Sequence, residues 1–384
     1  MVNIVVATKV RGAFKAIFSN EDIKANFICD DDRFYNTKSN SLRSKIISKI
    51  GYSFLADLLG IIQRVKISDM KADLYFSYNR FLKADKPYIL YVEHPVALYH
   101  YRLKRGQYLI GRCKIEHYLK DENLKAIVFQ AKFSERTFEN LVGSFEGEKR
   151  QIYLIQSSNE YVSLESIEKK CKSEVLNLLF VAQGSRFVSK CGLELLKAYS
   201  ILRDKYKSSV HLSILTQLNA VKGYIHNDDE IEWIDYSLNS QEMKQLYARS
   251  TVLLMVSSDD SINAVTLEAM NAGLPVISSN MSGFPEMVEE GKNGFMISPK
   301  WDFFDKYGYP NPDVWNHRKE TLYSTKINEH IVDFMVKKIS MLYEDRTLLK
   351  TMALNSYEKA HKPPFAKDYI VGQWNELIET ITKG

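Results

Sequence analysis

Four cysteines in 384 residues, Cys29, Cys113, Cys171 and Cys191, fall at scattered positions with no paired spacing. That pattern argues against a disulfide framework and a zinc site, and it fits a reducing cytosol. No apolar run approaches the length of a transmembrane helix. The opening residues MVNIVVATKV carry no charged leader before their apolar run, so they read as a first strand and not as a signal peptide. There is no internal repeat of fixed period and no low-complexity segment. No known nucleic-acid-binding motif is present, so nucleic acid is not an expected partner.

What is present is an ordinary globular composition, long enough for two domains that each bury a core. The net charge of +5 is unevenly placed. Residues 1–165 hold 26 Lys and Arg against 19 Asp and Glu, a net +7; the remainder holds 26 against 28, a net −2. A basic first half suits an anionic membrane surface or an anionic acceptor.

Taken in order, the first half alternates strand and helix patterns, the signature of a parallel sheet. Val2 to Ala7 is a strand candidate, and the turn after it carries Gly12, where backbone could approach a phosphate or simply reverse direction. Asn26 to Cys29, Asp73 to Ser77, Tyr88 to Val92, Ala126 to Phe129 and Ile152 to Ile155 read as further strands. Residues 38–67 form a basic amphipathic stretch, with Leu42, Ile46, Ile47 and Ile50 at helical spacing beside Arg43, Lys45 and Lys49; a membrane-surface helix and a helix packed on a sheet both look like this. His94 follows the Tyr88–Val92 strand, at the carboxyl end where such sheets bind ligands. Leu98 to Arg105 interleaves aromatic and basic residues, as a face meeting lipid head groups would. The polar stretch Gln156 to Glu174 reads as the connection between domains, giving expected domains of 1–165, 166–358 and a final segment 359–384.

The second half opens with the Leu176–Val181 strand and a turn carrying Arg186 and Lys190. Strands follow at Val210 to Leu215 and Ile231 to Ile234, and Ser240 to Ser250 is an amphipathic helix that Ser240 can cap. The chain is densest in signals from Ser257 to Pro299. The apolar run Val252 to Val256 leads into a loop with Asp260, and a helix pattern then starts near Ala264 and carries Glu268. Gly273 fits just past that helix, and Pro275 forbids its continuation. Free N–H groups around Asn263, Ala264 and Val265 would point out of the helix end and favour an anion. The two flanking carboxylates could accept from the hydroxyls of a nucleotide sugar. Spacing alone is equally met by a strand, a loop acid and a surface glutamate. Residues 300–326, aromatic and polar, are longer than a simple connection needs.

The run Glu268-Ala269-Met270-Asn271-Ala272-Gly273-Leu274-Pro275-Val276-Ile277, followed by Gly283-Phe284-Pro285-Glu286 and Gly291-Lys292-Asn293-Gly294, resembles the C-terminal signature of the retaining glycosyltransferases of family 4. The resemblance is specific over residues 175–300 and is one of pattern over 1–160. It implies a GT-B fold: α/β, two Rossmann-like domains whose parallel sheets face across a cleft, with the last helix packed back on the first domain. It implies transfer of a hexosyl group, with retention, from a UDP- or GDP-linked sugar to a hydroxyl of a glycan or lipid-linked acceptor. Gly12, Arg186, Lys190, Asn263, Ala264, Val265 and Glu268 would bind the donor, with Glu268 at the ribose. His94 and Asp260 would be catalytic. Asp260 stands where the family has glutamate, one methylene longer, which bears on reach or on choice of sugar. No metal and no cofactor is implied, since two cations can meet the leaving diphosphate. Family habit points to surface polysaccharide synthesis by a cytoplasmic enzyme, peripheral at the membrane. Two rivals stay open: a nucleotide-sugar 2-epimerase on the same fold, and a non-catalytic partner protein.

Overall fold

The computed structural model describes residues 1–35, 53–156, 161–225 and 230–383. The chain divides into two compact units: residues 1–155 with 306–310 and 368–384, and residues 156–305 with 311–367.

The first unit contains strands β1 (Val2–Val6), β2 (Ala25–Ile28), β3 (Val65–Ile67), β4 (Leu74–Tyr78), β5 (Leu82–Ala84), β6 (Tyr88–Val92), β7 (Leu124–Phe129) and β8 (Glu148–Gln151). Six of them make a parallel sheet in the order β2-β1-β4-β6-β7-β8, while β3 and β5 pair on their own. Helices α1 (Phe54–Leu58), α2 (Leu103–Gln107), α3 (Leu109–Leu119) and α4 (Lys132–Leu141) belong to this unit. The central strands β4 and β6 are buried at every position. That is why they read as unbroken apolar runs, the mark of a sheet covered on both faces.

The second unit repeats the plan with β9 (Leu176–Val181), β10 (Val210–Thr216), β11 (Ile231–Asp235), β12 (Val252–Met255), β13 (Val276–Ser279) and β14 (Gly294–Ile297). These form a parallel sheet in the order β11-β10-β9-β12-β13-β14. Its helices are α5 (Leu164–Cys171), α6 (Gly192–Tyr206), α7 (Ser240–Arg249), α8 (Ala264–Asn271), α9 (Glu329–Glu344) and α10 (Arg346–Ala360). The final helix, α11 (Lys367–Lys383), lies in the first unit from Asp368 onward. Its Trp374 is fully buried, stacked on Tyr91 at 6.4 Å between ring centres and tilted against Phe76 at 6.1 Å.

Each sheet has one place where the chain finishes building to one side and crosses to the other. In the first it lies between β1 and β4, in the second between β9 and β12. Loops leaving the carboxyl ends of such strand pairs diverge and open a crevice, the usual ligand position in open α/β sheets.

Several sequence expectations shift. Ile152 to Ile155 is buried but unpaired into any strand; the edge strand is the preceding polar Glu148–Gln151, which pairs with Ala126–Phe129. Apolar content misled there because an edge strand tolerates polar residues. The cap of α7 is Asn239, not Ser240, in a full capping box with Glu242. The first unit ends at Ile155 and not at residue 165, because the Gln156 amide donates to the carbonyls of Ala360 and Phe365 and bonds Asn271, all in the second unit. Residues 38–52 of the expected basic helix lie outside the described residues; of the remainder, 54–58 are α1 and 65–67 are β3. Leu98, Tyr99 and Arg105 are buried, and Arg102 and Arg105 both pair with the fully buried Asp57. Much of the aromatic–basic stretch is therefore internal packing, while Tyr101 and Lys104 stay exposed.

Candidate functional site

Arg186 and Lys190 follow β9; Asp259 and Asp260 follow β12. These are the two strands that flank the crossover of the second sheet. The turn after β9 is helical in character, with Lys190 N donating to the Arg186 carbonyl at 3.0 Å. Four residues apart on such a turn, the two side chains face the same way. Cys191 takes a left-handed conformation (φ 56°) and launches α6 at Gly192, where an added Cβ would stand 2.5 Å from the Phe187 ring. The two loops are tied together by Ser258 N donating to the Ser189 carbonyl at 3.0 Å.

Between them the charges pair. Arg186 Nη2 lies 3.1 Å from Asp259 Oδ2, and Lys190 Nζ lies 2.7 Å from Asp260 Oδ2. The second pair is nearly closed to solvent, at 12% and 9% exposure. Burial would raise the Asp260 carboxyl, but the Lys190 and Arg186 charges and the Lys190 hydrogen bond outweigh it and hold it below the usual carboxylate range. For Asp259 burial wins, and its carboxyl is pushed up despite Arg186. Arg318, stacked 4.5 Å from the Trp315 ring centre and 5.3 Å from that of Phe303, also acts on Asp259.

Asn263 caps α8, its side chain accepting from Thr266 N at 2.8 Å. The N–H groups of Ala264 and Val265, in the first turn, have no intrahelical acceptor and carry the positive end of the helix dipole. One turn on, Glu268 Oε2 accepts from Tyr247 Oη at 3.0 Å, and Tyr247 is fully buried on α7. Tyr236, just beyond β11, is 44% exposed. Burial of its hydroxyl region, with Glu268 and Asp260 close by, pushes that hydroxyl up. So Arg186, Lys190, Asp260, Asn263, Ala264, Val265 and Glu268 gather at one end of the second sheet. Asp259, Tyr236 and Tyr247 join them without having been singled out from sequence. Only Asp259, adjacent to Asp260, carried a local signal.

Gly12 and His94 lie in the first unit, on the loops after β1 and β6. An added Cβ at Gly12 would meet nothing within 4 Å, and its φ is not positive, so the fold itself does not require glycine there. Arg11 and Glu93, their neighbours, pair at 2.9 Å and hold the two loops together. His94 caps the turn Pro95–Tyr99, its Nδ1 accepting from Val96 N at 3.3 Å. An accepting Nδ1 places the proton of the neutral ring on the buried Nε2. Burial pushes the ring down to about 3, so it is neutral at physiological pH. Among the described residues, no group of three or more His, Cys, Asp or Glu could hold a metal ion. No helix among them is long and apolar enough to cross a membrane.

Residues 176–306 match the family model described as glycosyl transferases group 1. The sulfoquinovosyl transferase of Arabidopsis thaliana is 38% identical over 66 residues, which cover 16% of this chain and 13% of that protein. The chain thus matches well under two thirds of that relative's length. The Anabaena HepE structure solved with UDP-glucose superposes with a TM-score of 0.57 at 14% identity, covering 100% of both chains. WaaG, a glycosyltransferase involved in lipopolysaccharide biosynthesis, gives 0.60 at 14% identity, over 98% of this chain and 99% of that one. The second unit therefore carries a group 1 glycosyltransferase domain, in a chain with the GT-B fold.

Proposed function

We propose that the protein is a retaining glycosyltransferase that moves a hexosyl group from a UDP- or GDP-linked sugar to a hydroxyl of a glycan or lipid-linked acceptor in surface polysaccharide synthesis. The observation that carries this reading is the convergence of Arg186 and Lys190 with the free end of α8 at the crossover of the second sheet. A diphosphate there meets two cations and two N–H groups, and Glu268 one turn on can accept from ribose hydroxyls. In the reaction the acceptor oxygen bonds to the anomeric carbon as that carbon parts from the β-phosphate oxygen. The acceptor proton passes to the departing phosphate, and the diphosphate charge is met by Arg186, Lys190 and the helix end, with no metal required. Asp260 orients the donor sugar, and His94, a neutral ring with its proton on Nε2, is the catalytic candidate of the first unit. The second unit is then the donor side and the first the acceptor side.

A cytoplasmic enzyme peripheral at an anionic membrane fits a ledge on the first unit. Phe54, Leu55, Leu58, Leu59, Leu109 and Ile110 are all exposed. α1 and α3 abut there, since a Cβ on Gly60 would stand 2.6 Å from Gly111 N, and Lys114 Nζ bonds the Leu59 carbonyl at 3.0 Å.

One feature favours the non-catalytic rival: both cations already hold an aspartate. The test is thermal stabilisation by a panel of nucleoside diphosphates and nucleotide sugars, on wild type and Glu268→Ala. Selective stabilisation by one diphosphate, lost in the variant, is expected, because a ligand of the folded state raises its stability. No response to any of them would overturn the reading.

A further inference from the structure

The crossover of the first sheet, between β1 and β4, has a cavity of its own, about 290 Å³, whose lining includes Ala7, Thr8, Lys9, Arg33, Tyr78 and Arg80. Three of these side chains are cations and none is a carboxylate. Among the described residues Lys9, Arg33 and Arg80 take part in no ion pair. Both arginines are held by backbone through Nη1 alone: Arg33 donates to the Ala7 carbonyl at 3.0 Å, and Arg80 to the carbonyls of Asn79 and Ala97 at 2.7 Å each. Their remaining N–H groups stay available, in a fork that matches phosphate oxygens. Asn79, between Tyr78 and Arg80, is buried in a left-handed conformation (φ 56°), and its side chain accepts from Glu93 N at 2.9 Å. The strained residue thus fixes where Arg80 leaves the strand. The Glu93 carboxylate is occupied by Arg11 and by the Tyr78 hydroxyl, and Asp31 and Asp32, which precede Arg33 in its own turn, are exposed.

We propose that this cavity at the β1–β4 crossover binds the phosphate group of the acceptor, a phosphomonoester or the phosphate head of a lipid, through Lys9, Arg33 and Arg80. Three cations in the wall of one cleft, with no carboxylate in that wall, make it attractive to an anion. The volume, near the small end for ligand clefts of about 300 Å³ and upward, suits a phosphate with its first attached group and not a whole lipid chain. The word acceptor rests on the glycosyltransferase reading; the anion site does not.

The experiment is calorimetric titration of the full chain with glycerol 3-phosphate, and in a second arm co-sedimentation with vesicles of phosphatidic acid in phosphatidylcholine against phosphatidylcholine alone. Three variants separate the sites: Arg80→Gln, Lys9→Gln and Lys190→Gln. Lys9 is exposed and free of ion pairs, so its substitution leaves the fold intact where Arg80→Gln fails to fold. Binding weakened about tenfold by Lys9→Gln or Arg80→Gln, equivalent to about 1.4 kcal/mol, and untouched by Lys190→Gln, supports the site. The same variant pattern in the vesicle arm alone identifies a lipid head. Binding in neither arm, equal binding by every variant, or weakening by Lys190→Gln alone overturns it. Because Lys190→Gln reports on the donor site, loss of the donor reading and loss of this one give different results.

Discussion

Each residue of the donor site has two lives, one in the empty protein and one in the liganded one, and Asp260 shows the difference. In the empty state it neutralises Lys190 across 2.7 Å in a nearly closed position. A diphosphate must displace that pairing to reach Lys190. Asp260→Asn keeps the volume and removes the charge, so the ligand-free protein should lose about 3 kcal/mol of stability, the cost of leaving a buried charge unpaired. UDP or GDP, whichever is the cognate diphosphate, should bind about tenfold more tightly to the variant, since no carboxylate competes, while sugar transfer falls. Calorimetry on both proteins decides it; equal or weaker diphosphate affinity in the variant would show that Asp260 does not compete. His94 makes a second prediction at this scale. Its folded-state pKa, pushed from the ordinary 6.5 down to about 3 by burial, means that the unfolded chain binds more protons between those values. Stability contributed by neutral His94 is therefore complete above pH 6.5 and is lost as pH falls toward 3, by at most about 1.4 kcal/mol per pH unit. Urea unfolding at pH 7 and pH 5 should show a smaller difference in His94→Gln than in wild type. His100, also pushed down to about 3 by burial with Arg80 and Arg105 nearby, keeps the rest of the slope.

At the scale of elements, the most exacting packing belongs to α11. Trp374 contributes a fully buried indole against Phe76 and Tyr91 of the central strands β4 and β6, so the last helix completes the core of a sheet that began at Val2. Trp374→Ala should destabilise the first unit by about 3–5 kcal/mol through lost transfer energy and the cavity left behind. Denaturant melts with a first-unit probe would read it, and a loss under about 1 kcal/mol would mean that the helix packs loosely. Elements of this kind were legible in the sequence because their burial is two-sided: the short apolar runs read as strands at Asp73–Ser77 and Tyr88–Val92 became the inner strands Leu74–Tyr78 and Tyr88–Val92. Glu148–Gln151 was not legible, since an edge strand with four half-buried polar residues has no hydrophobic signature. Arg102 and Arg105 misled for the opposite reason. Their alternation with aromatics resembles a surface, and only Asp57, more than 40 residues earlier and fully buried, reveals them as the two halves of an internal ion cluster. Pairings between residues so far apart in sequence leave no local pattern to read.

For the molecule as a whole, the strand orders matter more than any single motif. Both sheets are built outward from their first strand and then across it, so each has one crossover, and each crossover collects basic side chains. The second was visible beforehand because the signature from Glu268 to Gly294 marks it. The first was not, because Lys9, Arg33 and Arg80 are scattered over three loops and each alone is an ordinary surface base. The uneven charge of the two halves hinted at an anion on the first, without giving it a place. Two crossovers with separate chemistry should give separate footprints in amide hydrogen exchange. A nucleoside diphosphate is expected to slow exchange in residues 182–191 and 257–268, where backbone N–H groups meet the ligand or its loops. Glycerol 3-phosphate is expected to slow exchange in residues 7–11 and 78–81 and to leave 257–268 unchanged. The two ligands added together should give the sum of both footprints. If glycerol 3-phosphate protects 257–268 and spares 78–81, the chain has a single anion site, and the basic residues of the first crossover serve only to offset the partial charges of the backbone carbonyls they bond.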